Sequence, residues 1–171
     1  MSNIWKTTFL SSRRGIISAG ISAVDIALWD LEGKALKMPV YQLLGAYADE
    51  VKCYASAGLY GKNKGVSELS TEIRNYKKQG FKDVKIKVGG LPLNEDEERV
   101  KATREIIGSN SRLMIDANYN LNVTESIKMA TTLDKYNIYW FEAPSSPYDI
   151  TGQAFVNNKS PIASMNIPKT T

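Results

Sequence analysis

The sequence predicts an α/β chain with a parallel sheet, arranged as part of a (β/α) barrel of the TIM type. Strand-like stretches ending near residues 56, 87, 116, 142 and 164 recur at intervals of about 20–30 residues, with helical patterns between them. These strands are apolar on both faces, the mark of a parallel sheet covered by helices. The residues with chemistry stand at the carboxyl ends of consecutive strands. An open doubly wound sheet allows that placement, and a barrel suits it better. No Gly-x-Gly-x-x-Gly or Walker-type loop follows any strand, which lowers the dinucleotide and nucleotide readings.

Taken in order, residues 1–15 are polar and basic and carry little fold signal. From residue 16 to 36 the apolar positions Ile21, Val24, Ile26, Ala27, Trp29 and Leu31 suggest a buried helix, with Trp29 in a core and Asp30 solvated. Ser22 is a candidate cap, and Gly33 interrupts the pattern near its end. Residues 39–45 read as a short helix opened by Pro39 and stopped by Gly45. Residues 51–57 read as a strand that packs Cys53 inertly. Residues 67–79 form an amphipathic helix carrying Leu69, Ile73 and Tyr76 on one face, ended by Gly80. A strand over 83–88 precedes a charged helix over 94–107, where Asn94 and Glu97 have capping-box spacing. Then follow a strand over 112–116, a helix over 124–136 with Ile127, Ala130 and Leu133 inward, and a strand over 138–142. A helix over 147–157 and a short strand over 161–164 complete the pattern.

Bulk composition excludes several classes. With 43% apolar and 23% charged residues, the chain is globular and not disordered. The net charge of +4 comes from interspersed acids and bases, so nucleic-acid binding is not expected. The one cysteine rules out an internal disulfide framework and fits a reducing, cytoplasmic setting. No signal-peptide pattern opens the sequence, and no apolar stretch reaches the ~20 residues that span a bilayer. Histidine is absent, so proton chemistry falls to Lys, Asp, Glu or Tyr.

The stretch Val84-Lys85-Ile86-Lys87-Val88 carries the sharpest signal. A strand alternates its faces, so Lys85 and Lys87 point one way and Val84, Ile86 and Val88 the other. Two ammonium groups side by side on a buried face are costly unless something anionic compensates. The next strands end in candidates: Asp116 and Asn118 after Leu113-Met114-Ile115, and Glu142 after Tyr139-Trp140-Phe141. Both acids are hard oxygen donors of the kind magnesium takes, leaving positions for a substrate carboxylate. Each has a plainer reading: Asp116 as a helix cap, Glu142 as an arginine partner, Lys85 reaching to solvent. The run Glu95-Asp96-Glu97-Glu98 reads as favourable charge at a helix start, and Lys62, Lys64, Lys77 and Lys78 as solvated surface. Co-occurrence on three consecutive strands favours one site.

The combination of Lys85-Ile86-Lys87, Asp116-Ala117-Asn118 and Trp140-Phe141-Glu142-Ala143-Pro144 resembles the mandelate racemase and muconate-lactonizing group of the enolase superfamily. The stretch from Ser22 to Ala35, followed by Met38-Pro39-Val40-Tyr41-Gln42-Leu43-Leu44-Gly45, is similar to that family's segment just before its barrel. The resemblance implies residues 1–48 as the helical end of an α+β capping domain with linker helices. It implies residues 49–171 as the N-terminal part of the barrel. It further implies Mg2+, abstraction of a proton alpha to a carboxylate, Lys87 as base and Lys85 as its electrostatic partner. Asp116 and Glu142 would be metal ligands, Asn118 a substrate contact, and the substrate a small carboxylate such as a sugar acid.

The sequence departs from the family pattern where a third metal-binding glutamate is expected. Pro161-Ile162-Ala163-Ser164-Met165-Asn166 stands there instead. Ending at Thr171, the chain is expected to carry about half of an eight-stranded barrel and to lack most of the capping domain. Open strand edges then lead to an expectation of association, with a second copy of the chain as partner. Two alternatives accompany the racemase or acid-sugar dehydratase reading. One is a half barrel that folds or associates without catalysis, and the other a Schiff-base aldolase using Lys85 or Lys87.

Overall fold

The computed structural model describes residues 15–165, which fall into two compact units, one ending at Val51 and the other starting at Lys52. The polar stretch before Gly15 and Asn166 of the third-ligand segment lie outside the described residues.

The first unit consists of α1 (Ile16–Leu36) and α2 (Val40–Leu43). α1 starts at Ile16, just after Gly15, so Ser22 is interior and caps nothing. Gly33 does not break it. Lys37 ends it in the left-handed region (φ 54°), and the Met38 N–H returns to the Gly33 carbonyl at 2.9 Å. Gly33 is glycine because a Cβ there would stand 2.9 Å from the Met38 carbonyl oxygen. Pro39 supplies the extended backbone (ψ 144°) from which α2 begins. The expected burial of α1 is corrected: only Ile21 and Gly33 are buried, while Val24, Ile26 and Leu31 are exposed and Trp29 is partly buried. A run of apolar positions identifies a helix but not what covers it. Asp30 is solvated as expected, pairing with Lys34 at 2.6 Å one turn on.

The second unit alternates strands and helices: β1 (Ala55–Ala57), α3 (Val66–Lys78), β2 (Val84–Lys87), α4 (Leu93–Ile107), β3 (Leu113–Asp116), α5 (Val123–Leu133), β4 (Ile138–Glu142), α6 (Ile150–Lys159) and β5 (Ser164–Met165). All pairings are parallel, and the strands lie in the order β1-β2-β3-β4-β5. That order decides between the two architectures. A doubly wound sheet reverses its strand order at a switch point, whereas a barrel adds strands in sequence. One sheet face carries Val84, Ile86, Leu113, Ile115 and Phe141 into a core with Leu69 and Ile73 of α3, Val100 and Ile107 of α4, and Met129, Ala130 and Leu133 of α5. Complete burial of each large side chain contributes roughly 1.5–3 kcal/mol, which makes this face the source of the unit's stability. Among the described residues no helix is long and apolar enough to cross a membrane.

Several boundaries move for identifiable reasons. Cys53 is exposed and precedes β1, so it does not pack inside a strand. α4 starts at Leu93, with Pro92 as its cap; the amides of Glu95 and Asp96 bond the Pro92 carbonyl, and Asn94 caps nothing. α5 tightens into a 3-10 turn at Asp134–Tyr136, closed by Asn137 in the left-handed region. α6 starts at Ile150 because the Asp149 carboxylate accepts the Gly152 N–H at 2.8 Å. β5 comes later than expected because Ser160 and Ile162 bond each other in a turn that occupies the start of the predicted strand.

Candidate functional site

The face of the sheet opposite the helices holds the expected residues in one row. Lys87 is in register with Asp116, Asp116 with Glu142, and Glu142 with Met165. Each is therefore the last or near-last residue of its strand, at the carboxyl end of the sheet. One irregularity makes the row. Leu113 pairs with Ile138 but Met114 pairs with Trp140, so β4 accommodates Tyr139 as an extra residue. Without that shift Phe141 would stand beside Asp116, and Glu142 would fall on the other face. Tyr139 is displaced outward, where the Arg112 guanidinium lies 4.5 Å from its ring centroid.

The structure brings all five expected residues together. Lys85 Nζ donates to Glu142 Oε2 at 2.7 Å and lies 3.7 Å from Asp116 Oδ2. Lys87 Nζ donates to Asp116 Oδ2 at 2.5 Å and to Asn118 Oδ1 at 3.0 Å. Lys85 is buried and does not reach to solvent, and the partner of buried Glu142 is Lys85 and not an arginine. The two ammonium groups need anionic compensation, and two carboxylates supply it. Burial pushes the Lys85 ammonium toward its neutral form. The hydrogen bond and charge of Glu142, with help from Tyr54 and Asp116, outweigh it and hold its pKa above the ordinary lysine value. A lysine held charged is a poor imine-forming nucleophile, which argues against Lys85 as a Schiff-base residue.

The backbone around the row is bent to fit. Asn118 (φ 49°), Tyr119 (φ 65°) and Ala143 (φ 47°) take the left-handed conformation directly after β3 and β4. Such positions are disfavoured for residues with a Cβ and collect where structure serves a site. Asp116 Oδ1 accepts the Asn118 N–H at 2.8 Å, and the Tyr119 N–H reaches the Ala143 carbonyl at 2.7 Å. Asp116 thus spends one oxygen on its own turn and the other on Lys87.

Sequence reasoning passed over three aromatic residues here. Trp140 shares the face of Glu142 and meets Tyr54 edge-on, with ring centroids 5.7 Å apart. The Tyr54 ring lies 5.4 Å from Lys85 Nζ. Tyr119 stands close enough to Asp116 and Glu142 that burial and both carboxylates raise its phenol pKa. Period-two counting back from Glu142 and Ser56 would have found the first pair.

Two adjacent carboxylates suit magnesium, which binds through one or two protein carboxylates and completes its shell with water and substrate. The next strand contributes the Met165 thioether, a soft donor unsuited to that ion. Among the described residues no group of three or more His, Cys, Asp or Glu side chains placed to hold a metal is present, and the two carboxylates of the row that could bind such an ion are Asp116 and Glu142.

Comparison with known proteins follows the same lines. A family model described as enolase C-terminal domain-like matches residues 68–167, and one described as mandelate racemase / muconate lactonizing enzyme, N-terminal domain, matches residues 2–45. The chain is 42% identical over 141 residues to an arabinonate dehydratase of Saccharolobus solfataricus, covering 82% of this chain and 38% of that protein. It is 37% identical over 158 residues to a 3,6-anhydro-alpha-L-galactonate cycloisomerase of Streptomyces coelicolor, covering 92% and 43%. Among solved structures, a racemase from Streptomyces coelicolor A3(2) with bound magnesium superposes with a TM-score of 0.87 at 34% identity, over 96% of this chain and 46% of that one. The chain spans about two fifths of the length of the curated relatives it matches.

Proposed function

The chain belongs to the mandelate racemase and muconate-lactonizing group of the enolase superfamily, and from that premise we propose that its lysine–carboxylate row serves to abstract a proton alpha to the carboxylate of a small acid. The observation that supports this reading is the single row Lys87–Asp116–Glu142, with Lys85 Nζ in reach of both acids and Lys87 Nζ on Asp116. Lys87 accepts the proton at Nζ. Lys85 keeps its positive charge on the buried face, where it faces the negative charge of the substrate carboxylate. Asn118 orients Lys87 through its side-chain oxygen and offers a polar contact to substrate. Asp116 and Glu142 would hold Mg2+, which would supply positive charge beside the developing anion. The relatives' names point to sugar acids as the substrate class.

A second reading has one observation in its favour. Met165, not a carboxylate, stands next in the row, and that favours a half barrel whose charges satisfy each other and catalyse nothing.

Calorimetric titration of the chain with Mg2+ separates the two. Binding lost in both Asp116→Ala and Glu142→Ala is the expected result; no heat from a folded chain overturns the catalytic reading. With Mg2+ bound, exchange of the C2 proton of arabinonate in D2O, followed by NMR, is expected in the parent chain and lost in Lys87→Met.

A further inference from the structure

Two buried polar side chains and one half-buried tyrosine lie behind the turn that follows Lys87, outside the row. Asp96 on α4 is fully buried, Arg99 one turn later is 1% exposed, and Tyr60 sits in the loop after β1. Burying an acid and a guanidinium costs several kcal/mol unless their bonds are made, so their partners matter. Asp96 Oδ2 accepts the Gly89 N–H at 2.6 Å, and Asp96 Oδ1 accepts the Tyr60 hydroxyl at 2.6 Å. The Tyr60 oxygen in turn accepts the Gly90 N–H at 3.1 Å. Arg99 Nη2 donates to the Gly58 carbonyl at 2.7 Å and reaches the Lys87 carbonyl at 3.5 Å, while its guanidinium lies 4.5 Å from the Tyr60 ring centroid. On the other side of the turn, Asn120 Nδ2 donates to the Gly89 carbonyl at 2.5 Å.

The backbone from Lys87 to Gly90 is therefore held by side chains where the sheet ladder ends. Both glycines are shaped to that grip. Gly89 has φ +82°, and a Cβ on Gly90 would fall 2.5 Å from the Tyr60 ring. Burial and the bond to Asp96 raise the Tyr60 phenol far above its ordinary value, so it remains a donor throughout the neutral range.

We propose that Asp96, hydrogen-bonded by Tyr60 and 3.6 Å from Arg99 Nε, is a positioning residue for Lys87: it fixes the backbone from which the Lys87 ammonium reaches Asp116. The role in proton transfer rests on the reading of Lys87 as the base, but the positioning itself is measured without metal or substrate. The probe is the set of lysine Nζ resonances of the 15N-lysine-labelled full chain at pH 6, assigned with Lys87→Arg and Lys85→Arg. Gly89 amide exchange is followed in parallel. Tyr60→Phe, which deletes one oxygen, keeps the experiment informative should Asp96→Asn fail to fold. Ile107→Val, at the far end of α4, is the control for lost stability alone.

The expected result is a shifted Lys87 Nζ signal in Tyr60→Phe and Asp96→Asn, with Lys85 unmoved. Gly89 exchange should quicken by about fivefold, as for one lost hydrogen bond. Ile107→Val should leave Lys87 where it was. A Lys87 signal that stays put in Tyr60→Phe, or moves equally in Ile107→Val, overturns the proposal and leaves the network a purely structural one. A chain that bound no Mg2+ and exchanged no substrate proton would still return the positioning result, so the two readings fail separately.

Discussion

The contact between Lys85 and Glu142 shows how unevenly a buried ion pair behaves. Removing two charges from water is expensive, and their attraction repays it only with close geometry, here 2.7 Å. Deleting one partner leaves the other buried and uncompensated. Lys85→Met is therefore expected to cost about 3 kcal/mol in urea denaturation, while Lys85→Met combined with Glu142→Leu should recover most of that loss. The pair also sets a pH dependence. The folded pKa of Lys85 lies above its ordinary 10.5, so its stabilisation is complete below that value and is lost as pH rises through the raised one. The stability difference between the parent chain and Lys85→Met should be flat from pH 7 to about 10 and shrink above it. A difference that grew with pH would contradict the assignment.

Helix starts were only half legible from spacing. Asn94 and Glu97 have the spacing of a capping box and form none, while Asn122 and Glu125 form one with both bonds at 2.9 Å. Pro92 explains the first case. Its extended backbone begins α4 ahead of Asn94, which leaves Glu97 to pair with Lys135 and Tyr136. Asp96, read from sequence as part of a run of favourable charge at that helix start, is also the buried anchor of the Gly89 turn. Asn122→Ala is expected to lower stability by about 1 kcal/mol, whereas Asn94→Ala should stay within about 0.5 kcal/mol of the parent. Denaturation midpoints at constant slope measure both, and equal losses would mean that α4 is capped by Asn94 after all.

For the molecule as a whole, stability is concentrated in one unit. The hydrophobic cluster among the described residues runs from Ala55 to Ile162, and the first unit adds only Ile21 to the buried apolar set. A piece spanning residues 52–171 is accordingly expected to unfold cooperatively, at a midpoint close to that of the full chain. A piece that failed to fold, with the full chain folded, would show that the first unit is required.

Local rules determined much of this protein. Alternation put Lys85 and Lys87 on one face, and strand ends at regular intervals put Asp116 and Glu142 near one sheet end. These features depend on side-chain direction along a few residues, which neighbours in sequence control. Other features waited on the packed structure. The extra residue in β4 decides that Glu142 and not Phe141 stands beside Asp116, and the register of β5 sets Met165 in the row. Close packing of α4 under the Gly89 turn decides that Asp96 is buried. Register and burial are settled between segments far apart in the chain, by steric fit and by the need to pair every buried polar group.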